Sequence, residues 1–144
     1  THLSLPAFLE VGPHKVPQVM GHGSNQLEEV ARVLDFLGAR AGDAAVLVGD
    51  FNTGPGSPVY ESVLGAGLQD AFAVANGLAP DDLHGLATAG FGPARMHIDH
   101  VFSTPTVQWD AMDAFRYGDR HAFHGLSDHT PKVGRLILPD TGAW

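Results

Sequence analysis

The feature that most limits the fold is an apolar run over residues 44–48 that stops abruptly at Gly49-Asp50-Phe51-Asn52. A strand-length run with no polar alternation suits a β-strand covered on both faces, which requires layers of other structure on either side. The neighbouring segments supply helices for those layers. Asn25 with Glu28 three residues on reads as a capping box. Leu27, Val30, Val33, Leu34 and Leu37 follow at helical spacing, so a helix runs to about residue 40. Ser57-Pro58 opens a second, short helix to about residue 64, with serine as N-cap and proline at the first helical position.

The rest of the chain divides at its glycines and prolines. Residues 1–5 form a short β-like piece, and residues 6–23 a loop punctuated by Pro6, Gly12, Pro13, Pro17, Gly21 and Gly23. Residues 76–95 are loop-like, strands are expected over 98–103 and 106–115, a polar histidine-rich loop covers 116–125, and a last strand covers 133–138. The pattern is mixed α/β, without internal repeat, low-complexity segment or dividing linker.

Composition narrows the possible chemistry. No cysteine is present, so disulfides and thiolate catalysis are excluded, while the compartment stays open. Nothing approaches the ~20 consecutive apolar residues of a membrane span, and no signal-peptide pattern is visible. A net charge of −8 with no lysine or arginine run argues against a non-specific nucleic-acid binder. Nine histidines in 144 residues invite a search for metal or proton chemistry.

Three polar motifs interrupt or end apolar runs. Asp50 and Asn52 sit at a strand end, where positions i and i+2 of extended chain face one side. A carboxylate there can position a water or handle a proton, and an amide can donate to a phosphoryl oxygen. The plain alternative is an Asx-turn. Asp99 lies within Ile98-Asp99-His100-Val101-Phe102, where an acid needs a partner; it either bonds backbone at a sheet edge or orients a histidine. Asp128 and His129 sit in Ser127-Asp128-His129-Thr130-Pro131, a turn motif on its own, or a cation ligand beside a histidine held by Asp99.

In this order the three motifs resemble the signature of the endonuclease/exonuclease/phosphatase (DNase-I-like) superfamily, and Thr1-His2-Leu3 resembles a strand end of its sphingomyelinase-like and DNase-I-like members. The resemblance spans residues 1 to about 138 and implies the second half of a four-layer α/β/β/α sandwich. It implies that Asp50 positions or deprotonates the attacking water, or protonates the leaving group. Asn52 would contact the scissile phosphate, and His2 would flank it. Asp99 would orient His129, which would stabilise developing charge or act as acid or base. Asp128 would lie at or near the metal, which is Mg²⁺, or Mn²⁺ or Ca²⁺, in the family.

Two departures stand out. The family's main metal-binding glutamate and an early asparagine belong to strands preceding Thr1, so residues 1–144 are expected to be the C-terminal part of one domain, completed by a companion N-terminal polypeptide or segment. One half alone would expose the sheet face that packs on the other. His97 also stands where many members carry a basic residue; on the strand side of Asp99 it is a candidate substrate contact, as is His124 in the polar loop.

The expected activity is metal-dependent phosphoester hydrolysis, foremost of a phospholipid headgroup in the sphingomyelinase manner. For lipid contact the candidates are Leu3, Leu5, Phe8 and Leu9. A DNase-like nuclease, drawing on Arg95, Arg116 and Arg120, or a small-molecule phosphatase is the alternative, and a non-catalytic half-domain is the rival of another class. Two further ideas are weaker. His121 and His124, with Asp119 and Asp128 nearby, suit a transition metal only if a helix holds them. Thr1 as an N-terminal nucleophile competes with a simple cleavage or fragment boundary.

Overall fold

The computed structural model describes residues 1–40, 42–114, 120 and 124–137. In chain order the elements are a hairpin of β1 (Leu9–Val11) and β2 (His14–Val16), α1 (Ser24–Arg40), β3 (Val46–Asp50), α2 (Pro58–Gly65), β4 (Gln69–Asp70) and α3 (Ala71–Asn76). A 3-10 turn (Pro80–Gly85) precedes β5 (Ala89–Phe91), β6 (Ala94–Met96), β7 (Asp99–Ser103), β8 (Gln108–Ala114) and β9 (Lys132–Ile137). This is the mixed α/β class expected.

The first helix starts one residue earlier than the expected capping box, and the box does not form. Gly23 carries the first helical carbonyl, accepting from Leu27 N at 3.0 Å. The capping acceptor is Gln26, whose Oε1 takes the N–H groups of Gly21 at 2.9 Å and Gly23 at 3.4 Å. Its Nε2 donates to the carbonyls of Ser4 and Asn52, so this fully buried amide is satisfied at both ends. Asn25 instead ties down the loop before the helix, accepting from Ala7 N and donating to the Leu5 carbonyl. The second helix follows expectation: Ser57 accepts from Tyr60 N, with Pro58 at the first position.

The central sheet has the order β3-β7-β4, all antiparallel, and its register sets Val48 opposite Val101 and Asp50 opposite Asp99. The segment before it contributes less than the expected strand over residues 1–5: a single parallel bridge of His2 to Asp50, with Leu3 N donating to the Asp50 carbonyl at 3.0 Å. Leu47 and Phe102 join the core, in which Phe51 meets Phe102 edge-on with centroids 5.1 Å apart. Such pairs add about 1 kcal/mol beyond their buried area. Val46 and Val48 point the other way and stay 41% and 50% exposed, so the strand expected to be covered on both faces is covered on one within this chain.

Two hairpins arise where loops were expected: β1 with β2 lies within residues 6–23, and β5 with β6 falls in the expected loop over 76–95, ending one residue beyond it at Met96. Helix α3 is short, but its ends are well defined: the Asp70 carboxylate caps Phe72 N and Ala73 N, and Gly77 closes it at φ 63°. Strand β8 is shorter than expected and β9 begins at Lys132. Of the histidine-rich loop, Arg116, Asp119 and His121 lie outside the described residues, and with them the histidine pair considered for zinc. Among the described residues no helix is long and apolar enough to cross a membrane.

Candidate active site

The antiparallel register places two carboxylates directly opposite each other at one end of the sheet, Asp50 at the end of β3 and Asp99 at the start of β7. Like charges across a ladder repel, so the arrangement requires compensation. His129 supplies it. Its Nδ1 lies 3.0 and 2.9 Å from the two Asp99 oxygens, and its Nε2 lies 3.9 Å from Asp50 Oδ2. A carboxylate can only accept, so Nδ1 carries a proton and Nε2 is directed towards Asp50. Burial disfavours the His129 imidazolium, but the Asp99 hydrogen bond and charge, with the charges of Asp50 and Asp128, outweigh it and hold the pKa above the ordinary histidine value. His2 Nε2 approaches the same Asp50 oxygen at 3.5 Å from the adjoining segment.

Asn52 reaches this point by a different route from extended geometry. The strand ends at Asp50, and Asn52 adopts φ 46°, a left-handed conformation that asparagine tolerates better than most residues. Its backbone N–H donates to Asp50 Oδ1 at 2.8 Å, forming the Asx-turn, while Nδ2 donates to the Leu3 carbonyl at 2.8 Å and lies 3.3 Å from His2 Nε2. The turn therefore builds the site: it fixes one Asp50 oxygen and leaves Oδ2 facing two imidazoles.

Thr88 holds the other carboxylate. Buried at the start of the β5 hairpin, its hydroxyl donates to Asp99 Oδ2 at 2.7 Å and accepts from Ile98 N and Asp99 N. The backbone of the same hairpin pairs with Asp128 and Thr130 around His129. No sequence signal marks Thr88, because its partners lie on other elements. A second buried group backs the site. His100 faces Asp70 through Nδ1 at 3.4 Å and the Thr53 carbonyl through Nε2 at 2.9 Å, which joins the cap of α3 to the loop carrying Asn52. Burial works against the Asp70 carboxylate, yet the His100 hydrogen bond and charge, Lys132 and the Ala73 N–H bring its pKa down to about 2.

The structure thus gathers His2, Asp50, Asn52, Asp99 and His129. Asp128 is exposed beside them, accepting from Ser127 Oγ at 3.4 Å, and His124 is exposed in the preceding turn. His97 is buried, with Nδ1 2.6 Å from the Leu86 carbonyl and Nε2 2.9 Å from Lys132 Nζ, and its ring packs 5.0 Å from that of His100. Burial and the neighbouring Lys132 charge push the His97 pKa down to about 3, and burial lowers Lys132 to about 8.

Asp50, Asp99 and His129 bring ligand-capable atoms within 4.8 Å of one another. Both Asp99 oxygens are committed to His129, and one also to Thr88. Asp50 Oδ2 is therefore the oxygen of this group that suits a hard divalent cation, as part of a ligand set rather than the whole of one. A shallow cavity of about 260 Å³ lined by Asp50, Asp99, His100 and Lys132 opens beside it.

A strand-end carboxylate pair spanned by a carboxylate-anchored histidine thus sits on a mixed α/β scaffold. The chain belongs to the endonuclease/exonuclease/phosphatase family, whose model matches residues 18–129. Two solved structures share its fold. The endonuclease/exonuclease/phosphatase from Bacteroides vulgatus is 21% identical with a TM-score of 0.55, over 80% of this chain and 44% of that one. The mannosyl-6-phosphatase of Bacteroides thetaiotaomicron is 22% identical with a TM-score of 0.51, over 79% of this chain and 46% of that one. The chain therefore spans a little under half the length of each. No curated protein matches the sequence.

Proposed function

We propose that this chain carries the phosphate-handling half of a metal-dependent phosphoester hydrolase. The observation that carries the reading is His129 held by Asp99 with its Nε2 turned towards Asp50 Oδ2. Anchored in this way, His129 is preorganised to donate to a phosphoryl oxygen as charge develops in the transition state. Asp50 Oδ2, flanked by two imidazoles, orients the attacking water or exchanges a proton with the leaving group. His2 and the Asn52 amide border the same space. A divalent cation, foremost Mg²⁺, would be held by Asp50 and Asp128 with ligands from outside this chain, and would neutralise phosphoryl charge.

A preceding segment or companion polypeptide completes the site in this reading. Its support is the open apolar face at Val46 and Val48, and the share of the two solved structures that the chain spans. For the substrate we favour a phospholipid phosphodiester, because the hairpin of β1 and β2 presents an apolar surface. Leu5, Phe8, Leu9, Val11, Val16 and Val19 are between 42 and 70% exposed there, with Lys15 among them. The hairpin follows the segment that pairs with Asp50, so it leaves the sheet at the site. Leu3 drops out of the lipid-facing candidates, being 2% exposed in the core.

The test is hydrolysis by the polypeptide that includes the preceding segment, on vesicle-borne phosphodiester, oligonucleotide and sugar phosphate, with Mg²⁺ or with EDTA. Mg²⁺-dependent turnover that falls at least ~100-fold in Asp50→Asn and His129→Ala is expected. Strong turnover by the 144-residue chain alone in EDTA would refute the reading.

A further inference from the structure

We propose that Asp70, His97 and His100 form a buried transition-metal site, with Zn²⁺ the foremost ion, at which the Lys132 ammonium is the competing cation. The site is separate from the catalytic group and stands whether or not the chain hydrolyses phosphoesters. The three residues bring ligand-capable atoms within 4.8 Å of one another. All are buried, Asp70 and His97 at 4% exposure and His100 at 1%. They come from separate places in the chain: Asp70 caps α3, His97 precedes β7 and His100 lies within it. Two imidazoles with one carboxylate suit a borderline ion such as Zn²⁺ better than Mg²⁺, which takes oxygen ligands.

The ring orientations favour an ion. A backbone carbonyl can only accept, so His97 Nδ1, 2.6 Å from the Leu86 carbonyl, bears a proton, and so does His100 Nε2, 2.9 Å from the Thr53 carbonyl. The other two nitrogens face Lys132 and Asp70. Metal-binding histidines are held in this way, the outer N–H on a carbonyl fixing the tautomer. His97 Nε2 accepts from Lys132 Nζ at 2.9 Å, so it already presents a lone pair to a cation. His100 Nδ1 lies 3.4 Å from Asp70 Oδ2, and the Tyr60 hydroxyl lies 3.3 Å from the same oxygen. Both contacts are long beside the roughly 2.7–2.9 Å of a hydrogen bond to a charged acceptor. The separation of 3.4 Å is instead close to the ~3.3 Å between two ligand atoms of a tetrahedral zinc with ~2.0 Å bonds. Asp70 Oδ1 takes the N–H groups of Phe72 and Ala73, which fixes the carboxylate and leaves Oδ2 for the ion. An approach exists, because the cavity of about 260 Å³ next to Asp50 is lined by both His100 and Lys132.

The deciding measurement is a Zn²⁺ titration of the isotope-labelled polypeptide that includes the preceding segment, followed by long-range proton–nitrogen NMR spectra of the histidine rings. His97 Nε2 and His100 Nδ1 are expected to shift together at stoichiometric Zn²⁺ and to return when EDTA is added. Lys132→Met keeps the length of the half-buried side chain and removes the competing charge, so Zn²⁺ affinity should rise about tenfold or more. His97→Gln removes a ligand, and affinity should fall about tenfold or more. The parent spectra and the Lys132→Met comparison decide the matter even if the His97→Gln protein does not fold. Unmoved resonances at His97 Nε2 and His100 Nδ1, with or without shifts at His2 and His129, overturn the proposal. An affinity that is unchanged or lower in Lys132→Met overturns it equally.

Discussion

Replacement of Asp70 by asparagine tests whether the buried charge behind the site is paid for by its partners. The carboxylate is 4% exposed. Oδ1 takes two N–H groups of α3, while Oδ2 faces His100 Nδ1 at 3.4 Å and the Tyr60 hydroxyl at 3.3 Å. Asparagine keeps a capping oxygen but sets an NH₂ against two donors and removes the counter-charge of a buried imidazole. The Asp70 pKa of about 2, against 3.8 ordinarily, corresponds to about 2.5 kcal/mol of stability. With a depressed carboxylate pKa this contribution is complete above the unfolded value and is lost as pH falls from about 4 to about 2. At pH 7 Asp70→Asn should therefore lose about 3 kcal/mol, a shift of roughly 1–2 M in the urea midpoint. Between pH 4 and 2 the gap to the parent should close. A gap under ~1 kcal/mol at pH 7, or one unchanged from pH 4 to 2, would refute the pairing.

Thr88→Val removes one bond to a charged acceptor and orphans two backbone donors, so urea unfolding should show a loss of about 2–3 kcal/mol; a loss under ~0.5 would mean that Asp99 holds itself. Gly21→Ala places a methyl at φ +78° against the Thr53 and Ser57 hydroxyls, and a drop of several degrees in Tm is expected, at a cost of about 2 kcal/mol. Lys132, lowered to about 8 from 10.5, carries the opposite sign to Asp70. The unfolded chain binds more protons between these values, so stability should rise from pH 8 to 10.5, by up to about 3 kcal/mol before the partly solvated position is discounted. Lys132→Met should flatten that rise, and an unchanged slope would show that the ammonium is fully hydrated.

The sequence by itself determined what is local or periodic. The apolar run ending in Gly-Asp-Phe-Asn marked β3 and its terminal carboxylate, the spaced leucines and valines marked α1, and Ser57-Pro58 marked the start of α2, because each is a pattern written in consecutive residues. The motif order also named Asp50, Asn52, Asp99 and His129 as a set. What the tertiary structure decided is how that set meets. The register that opposes Asp50 to Asp99 depends on pairing between strands about a third of the chain apart. The tautomer of His129 depends on an acceptor 30 residues away, and the hold on Asp99 on a threonine from a hairpin too short to show periodicity. Capping by Gln26 rather than by the Asn25–Glu28 pair follows from the same cause: Gln26 gains buried partners on two other segments, which local spacing does not contain. Contacts whose energy comes from distant residues leave no trace in the order of neighbours, and these are the contacts that turn three motifs into one site.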